Sequence, residues 1–169
     1  MTRTAGTSLA LRSILWTLVF PGFFTVLVPA RFFGLGRAPI DLSSPAQLAG
    51  VAAVSAGSAL LAACIIEFAR SGRGTLSPVD PPTVLVVRGL YRYVRNPMYL
   101  AVTIIVLGES LLMRSTALGV YWAVWFLWAN FFVMFYEEPA LLRRFGPSYE
   151  AYTHEVGRWL PALRSRRGN

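Results

Sequence analysis

The chain has 169 residues, of which 55% are hydrophobic and 14% charged, and its mean hydropathy is +0.52. A soluble globular protein carries about 25% charged residues, so this composition excludes an ordinary soluble domain and favours a lipid environment. The formal net charge is +8, but the arginines lie between apolar runs and not on one basic face, so we expect no nucleic-acid partner. The length fits a single membrane domain, 1–169.

Four apolar runs follow one another along the chain. A transmembrane helix needs about 20 mostly apolar residues, and the candidates are Ala10–Val28, Leu48–Phe68, Met98–Met113 and Leu118–Tyr136. Pro21-Gly22 predicts a kink in the first run, and the Ala, Gly and Ser residues of the second favour close helix packing. Only residues 114–117 separate the last two runs, which predicts a tight antiparallel hairpin. The predicted fold class is therefore all-α integral membrane with four transmembrane helices.

The arginines predict how these helices are oriented. With the N-terminus inside, 13 of the 16 arginines lie in cytoplasmic segments, and only Arg31, Arg37 and Arg114 lie outside. We therefore expect a multi-pass protein with both termini in the cytoplasm. The first run is also compatible with a cleaved signal peptide, because Arg3 and Arg12 precede its apolar core and residues 28–30 resemble a cleavage site.

The chain has one cysteine, Cys64, and one histidine, His154. A single cysteine excludes an internal disulfide and a thiol metal cluster, and one histidine beside it makes a zinc site unexpected. We expect Cys64 to be a buried inert thiol, His154 to be solvated, and the chain to hold no metal.

Two stretches combine polar and aromatic residues at the edges of apolar runs. GLYRYVRNPMYL, at 89–100, ends the predicted cytoplasmic loop 69–97, and YEEPALLRRFGPSYEAY, at 136–152, begins the C-terminal tail. Both belong to the same predicted membrane face. We therefore expect them to meet and to form one site.

The first stretch contains a helix start. Pro97 suits the first turn of a helix, where its missing N–H costs nothing, and Asn96 is then a natural N-cap. The exposed N–H groups of such a helix end favour an anion. An arginine and aromatic belt at the lipid headgroups explains the same residues without any ligand.

The second stretch contains two adjacent carboxylates, Glu137 and Glu138. They repel each other, so they require cations or hydrogen-bond donors such as an ammonium, ribose hydroxyls or arginine; a solvated helix end is the alternative. A short helix is predicted to end at Gly146. The next helix carries Tyr149 and Tyr152 on one face, either as part of the site or as an interfacial anchor.

Two polar residues lie inside the predicted spans, where an ionisable or amide group is a functional hypothesis by default. Glu109 is about one turn from Arg114, so a structural side chain reaching towards the outer surface is the competing interpretation. For Asn130 we expect a hydrogen-bonded clasp between helices.

Taken in order, these motifs resemble the C-terminal core of the isoprenylcysteine carboxyl methyltransferase family, which is related to the membrane phospholipid N-methyltransferases. The family pattern is R-H-P-x-Y, a hydrophobic hairpin, E-E-x-x-L, R-F-G-x-x-Y-x-x-Y and V-P-R-W-x-P. The resemblance covers residues 88–161. Asn96 stands where the pattern has histidine, so it can bond and cap but cannot take up a proton, and Gly157 stands where the pattern has proline.

The resemblance implies an integral membrane enzyme that uses S-adenosylmethionine without a Rossmann domain. Two residues would act in catalysis: Glu138 shapes the reaction centre, and Arg144 orients an acceptor carboxylate. The acceptor would enter sideways from the lipid, with 1–70 on the acceptor side and 88–161 as the methyltransferase core. The cofactor-binding residues implied by the resemblance are Tyr93, Arg95, Asn96, Pro97, Tyr99, Glu137, Glu138, Tyr149 and Tyr152.

This chemistry agrees with the residues present. A sulfonium methyl donor is already activated, so transfer needs mainly alignment and desolvation, and an arginine can hold a carboxylate in a bidentate pair. The acceptor stays broad: a lipophilic or small thiol, carboxylate or amine. Two other hypotheses remain, an NADPH-dependent membrane reductase of the sterol-reductase type and a non-enzymatic membrane module.

Overall fold

The computed structural model describes residues 19–36, 39–71 and 85–162. Arg3, Arg12 and the first half of the first predicted span lie outside these ranges, as do most of the loop between the second and third spans and the basic residues after 162. Every regular element within the described ranges is helical, and none is a strand. The all-α prediction is confirmed for this part of the chain.

Five helices form the described structure, with one 3₁₀ turn at Gly89–Arg92 before the third. They are α1 (Val19–Phe32), α2 (Pro45–Ser71), α3 (Pro97–Leu112), α4 (Thr116–Phe145) and α5 (Pro147–Glu155). Two of them, α4 and the part of α2 at Pro45–Glu67, are long and apolar enough to cross a membrane, whereas α1 and α3 are shorter apolar helices. The four spans and their orientation stay predictions.

Glycines bring α2 and α3 into backbone contact. A Cβ atom added to Gly108 would lie 2.7 Å from the backbone nitrogen of Val54, and one added to Gly50 would lie 2.7 Å from that of Leu112. At Gly57 it would meet the side chain of Ile105 at 2.7 Å. The small residues of the second apolar run therefore serve the close packing that its composition predicts.

The hairpin between α3 and α4 turns within three residues. Arg114 adopts a positive φ of 49°, and the Ser115 side chain accepts a hydrogen bond from the backbone N–H of Leu118 at 3.3 Å, which caps α4. The seam below contains Val102, Val106, Trp125 and Ala129, and rings of α1 pack against it. The predicted tight hairpin is confirmed.

Two helices contain π turns and extend beyond their predicted ends. In α1 the π turn Phe23–Leu27 directly follows Pro21-Gly22, where we predicted a kink, and the helix continues to Phe32. In α4 the turn Val133–Glu137 lets the helix run on past Tyr136 to Phe145.

The exposure of three side chains bears on three further expectations. Cys64 is a buried free thiol, as expected. Glu109 is buried, and its Oε2 atom has no hydrogen-bond partner among the described residues, which does not fit the interpretation of a side chain that reaches towards the outer surface. His154 is exposed, in line with its expected solvation.

Candidate active site

Glu138 joins three segments of the chain at one end of the helices. Its Oε1 atom lies 2.9 Å from Nη1 of Arg95, just before α3. Arg158, after α5, donates from Nε to Oε1 at 2.8 Å and from Nη2 to Oε2 at 2.7 Å. The two polar stretches therefore meet, as their shared end predicted, and both carboxylate oxygens of Glu138 are occupied by guanidinium groups. The hydrogen bond to Glu138 raises the pKa of Arg158.

Glu137 points to a different partner. Its Oε2 atom accepts a hydrogen bond of 2.9 Å from the hydroxyl of Tyr99, in the first turns of α3. The π turn Val133–Glu137 ends at this residue, and such turns occur often at functional sites. The predicted repulsion between the adjacent carboxylates is relieved because Glu138 takes two cations and Glu137 takes a neutral donor.

The start of α3 differs in one detail from the prediction. Pro97 occupies the first turn and Asn96 the N-cap position, as expected, but the Asn96 side chain makes no capping hydrogen bond. Its Nδ2 atom donates instead to the carbonyl oxygen of Arg158 at 3.3 Å. The prediction of a side-chain cap was wrong: a cap requires the amide oxygen to accept from N–H groups of the helix, whereas the hydrogen bond formed here uses the amide nitrogen as donor to the C-terminal segment.

The C-terminal segment runs alongside the residues before α3. Val94 and Gly157 form an isolated parallel bridge, and the backbone N–H of Arg95 donates to the carbonyl oxygen of Gly157 at 2.9 Å. A Cβ atom on Gly157 would overlap the carbonyl oxygen of Leu160. The turn at 157–160 thus explains why this chain has glycine at a position where the family pattern has proline.

The two tyrosines of α5 face the protein interior. Tyr149 and Tyr152 are buried together with Val156, and their ring centroids are 6.1 Å apart. The Tyr152 hydroxyl donates to the carbonyl oxygen of Tyr91 at 2.7 Å, which ties α5 to the 3₁₀ turn. Burial raises the pKa of Tyr149 to about 12, although Arg95 opposes the rise. Their burial does not fit the alternative of a headgroup anchor.

Trp159 reaches into the hairpin seam. Its indole Nε1 donates to Oδ1 of Asn130 in α4 at 3.0 Å, and its ring stands edge-on to that of Tyr99 with the centroids 6.5 Å apart. The expectation that Asn130 clasps another helix was wrong, since its partner belongs to the segment after α5.

Two residues that the resemblance assigns to the site lie apart from this network. The Tyr93 side chain is 58% exposed. Arg144 is also exposed, and its guanidinium carbon lies 5.9 Å from the ring centroid of Phe145. Within the described ranges, neither side chain takes part in a hydrogen bond or an ion pair.

Arg158, Trp159 and Tyr91 are site neighbours that the sequence analysis did not select. The first two belong to the R-W-x-P motif, but no local sequence signal indicates that their side chains turn back towards Glu138 and Asn130. Tyr91 contributes a backbone carbonyl, which has no sequence signal. Among the described residues, no three His, Cys, Asp or Glu side chains are grouped so as to hold a metal ion.

The described part of the chain, with its apolar helices and its joined polar end, agrees with a family found by comparison. The phospholipid methyltransferase family model matches residues 45–148, from the start of α2 into α5, which is more than half of the chain. The chain belongs to the phospholipid methyltransferase family and is in general class a membrane methyltransferase. No curated protein and no solved structure matches it.

Proposed function

We propose that this protein is a membrane-embedded, S-adenosylmethionine-dependent methyltransferase of the isoprenylcysteine carboxyl methyltransferase-like kind, with its site at the cytoplasmic ends of four spans. Its family supports methyl transfer in general. The observation that supports the finer proposal is the convergence of Arg95 and Arg158 on Glu138, which joins two residues that the resemblance assigns to the cofactor, Arg95 and Glu138, to the segment after α5.

An unpaired donor at this cluster fits the proposed cofactor. The Nε atom of Arg95 is buried and has no hydrogen-bond partner among the described residues. A buried donor without a partner costs about 1–3 kcal/mol, so a ligand that supplies an acceptor there gains from satisfying it. The carboxylate of S-adenosylmethionine is such an acceptor. In this proposal the cationic groups of the cofactor bind near Glu137, which precedes Glu138 in the sequence.

The proposed residue roles follow from charge and position. The cofactor supplies an activated methyl group when bound. Glu138 holds the two guanidiniums in place, Glu137 and Tyr99 present an oxygen-rich wall, and Tyr149 and Tyr152 close the site from α5. In this proposal Arg144, which is exposed and has no ion partner in the described ranges, meets an acceptor carboxylate that arrives from the lipid surface. The acceptor remains a lipophilic or small thiol, carboxylate or amine.

Calorimetric binding of S-adenosylmethionine to the detergent-purified protein tests the proposal. The parent should bind, and Glu138→Gln should weaken binding at least about thirtyfold, because removing one partner of a buried charge pair costs about 2–5 kcal/mol. Glu150→Gln, at an exposed carboxylate of α5, is the matched control and should bind like the parent. Tyr99→Phe, a milder change, should also weaken binding.

Four results would contradict the proposal. If the folded parent does not bind S-adenosylmethionine, the proposed cofactor is wrong. Stabilisation by NADPH instead would favour the reductase hypothesis, and the absence of any effect from either ligand would favour a non-enzymatic membrane module. Normal binding by folded Glu138→Gln and Tyr99→Phe would remove this cluster from the cofactor site.

A further inference from the structure

The segment after α5 covers the residues expected to bind the cofactor. Its carbonyl groups at Gly157 and Arg158 accept hydrogen bonds from the Arg95 backbone and the Asn96 amide, at 2.9 and 3.3 Å. The Arg158 side chain binds Glu138. We call residues 156–160 the closing segment, because every one of these contacts holds it against the start of α3 or the acidic pair of α4.

The anchor of the closing segment lies deeper than the rest of it. Asn130 precedes Glu137 by about two helical turns, which is about 10 Å along α4. Trp159 packs at the deeper level: its indole N–H donates to Asn130 at 3.0 Å, and its ring lies 6.5 Å from the Tyr99 ring and 5.7 Å from the Phe126 ring, centroid to centroid. It is therefore wedged beside the tyrosine that binds Glu137.

The hydrogen bond between Trp159 and Asn130 gives the Asn130 amide a partner within an otherwise apolar part of α4. The α4 residues around Asn130 are mostly aromatic or aliphatic, and a polar side chain without a partner in such surroundings is costly. In the described part of the chain, Trp159 is the partner of the Asn130 side chain. Opening the closing segment therefore leaves both the indole N–H and the amide oxygen unpaired.

We propose that Asn130 and Trp159 are positioning residues: Asn130 holds Trp159, and Trp159 keeps the closing segment shut over bound S-adenosylmethionine. This inference rests on the proposed function. Neither residue needs to touch the reacting atoms. Their bond biases the segment towards its closed state, and a ligand held by the closed state dissociates faster when that bias is weakened.

The dissociation rate of tritiated S-adenosylhomocysteine from the detergent-solubilised full chain measures this bias. Trp159→Phe removes the indole N–H and part of the ring system, and Asn130→Leu replaces the amide, including its acceptor oxygen, by an apolar group of similar size. Each should speed dissociation about fivefold, the net value of one hydrogen bond. The double variant should be no faster than the faster single variant, because both changes delete the same bond.

Trp128→Phe is the matched control, since Trp128 lies on α4 beside rings of α1 and is 41% exposed. It should leave dissociation unchanged. Thermal unfolding without ligand separates positioning from structure. Single variants that unfold earlier yet release the ligand at the parent rate, or a double variant whose effects add, would overturn the inference while the proposed function stands. A folded parent that binds neither S-adenosylmethionine nor S-adenosylhomocysteine would overturn both.

Discussion

The adjacent residues Glu137 and Glu138 bind different kinds of partner because their surroundings differ. The side chains of Arg95 and Glu138 are 12% and 16% exposed, so their pairing is largely protected from water, unlike a surface ion pair. Two guanidiniums share the Glu138 carboxylate, whereas the Glu137 carboxylate accepts a hydrogen bond from the neutral Tyr99 hydroxyl. Removing one partner of a buried charge pair would leave the other charge uncompensated, which is costly near apolar helices.

Tyr149 makes stability depend on alkaline pH. Burial raises its pKa from 10.0 to about 12. The unfolded chain therefore loses this proton at lower pH than the folded protein does, and stability present below pH 10 is lost as the pH rises towards 12. We expect the unfolding temperature in detergent to fall over that range, and Tyr149→Phe to make the fall shallower.

The measurement is thermal unfolding of the parent and Tyr149→Phe at closely spaced pH values from 8 to about 11.5. Tyr136→Phe, at an exposed tyrosine of α4, controls for removal of a hydroxyl. Identical slopes for the parent and Tyr149→Phe would show that this tyrosine does not couple to folding.

Among the helices, the contact between α2 and α3 depends on glycine at particular positions. At Gly108 an added Cβ atom would lie 2.7 Å from the backbone nitrogen of Val54 and 2.9 Å from the carbonyl oxygen of Gly50. Backbone atoms cannot rotate out of the way as a side-chain tip can, so the two helices would have to separate. Gly119, in α4, has nothing within 4 Å of its added Cβ atom.

Gly108→Ala should therefore lower the free energy of unfolding by about 2 kcal/mol through overpacking. Gly119→Ala makes the same chemical change in open space and should be neutral or stabilising by up to about 1 kcal/mol, because alanine is the better helix former. Denaturant unfolding in detergent measures both. Equal effects at the two glycines would mean that the α2–α3 contact is looser than described.

For the whole molecule, arginine placement predicts that the site and both termini share the cytoplasmic side. The connection between α1 and α2 and the hairpin at Arg114 then lie outside. In a Cys64→Ala background, Ile40→Cys should react with a membrane-impermeant maleimide added to intact cells, and His154→Cys should react only after permeabilisation. Both positions are exposed. Labelling of His154→Cys in intact cells would reverse the predicted orientation.

Much of the fold could be predicted because helix signals are local. The length of the apolar runs predicted α2, α3 and α4 to within a few residues at most ends, and Pro97 marked the start of α3. The π turns escaped prediction because they depend on how a helix fits its neighbours. The end of α4 at Phe145 also escaped, since the chain stays helical beyond its apolar part.

The candidate site was predictable to a smaller extent. The motifs correctly predicted that residues 89–100 and 136–152 lie at one end of the helices. They also predicted that Glu137 and Glu138 bind hydrogen-bond donors or arginines. Which donor each would take was not predicted. Exposed Tyr93 and Arg144 show that membership of a motif does not place a side chain in a network.

By itself the sequence determined the helical class, the apolar character, the methyltransferase family and the two stretches that meet, because each rests on composition or on residues close together in the chain. Only the tertiary structure decided that Glu138 takes both Arg95 and Arg158, that the Asn96 amide turns from its own helix to the Arg158 carbonyl, and that Trp159 reaches Asn130. Amide, indole and guanidinium groups can each form hydrogen bonds of similar strength with many different partners. The choice among them is made by which groups the packed helices bring within about 3 Å.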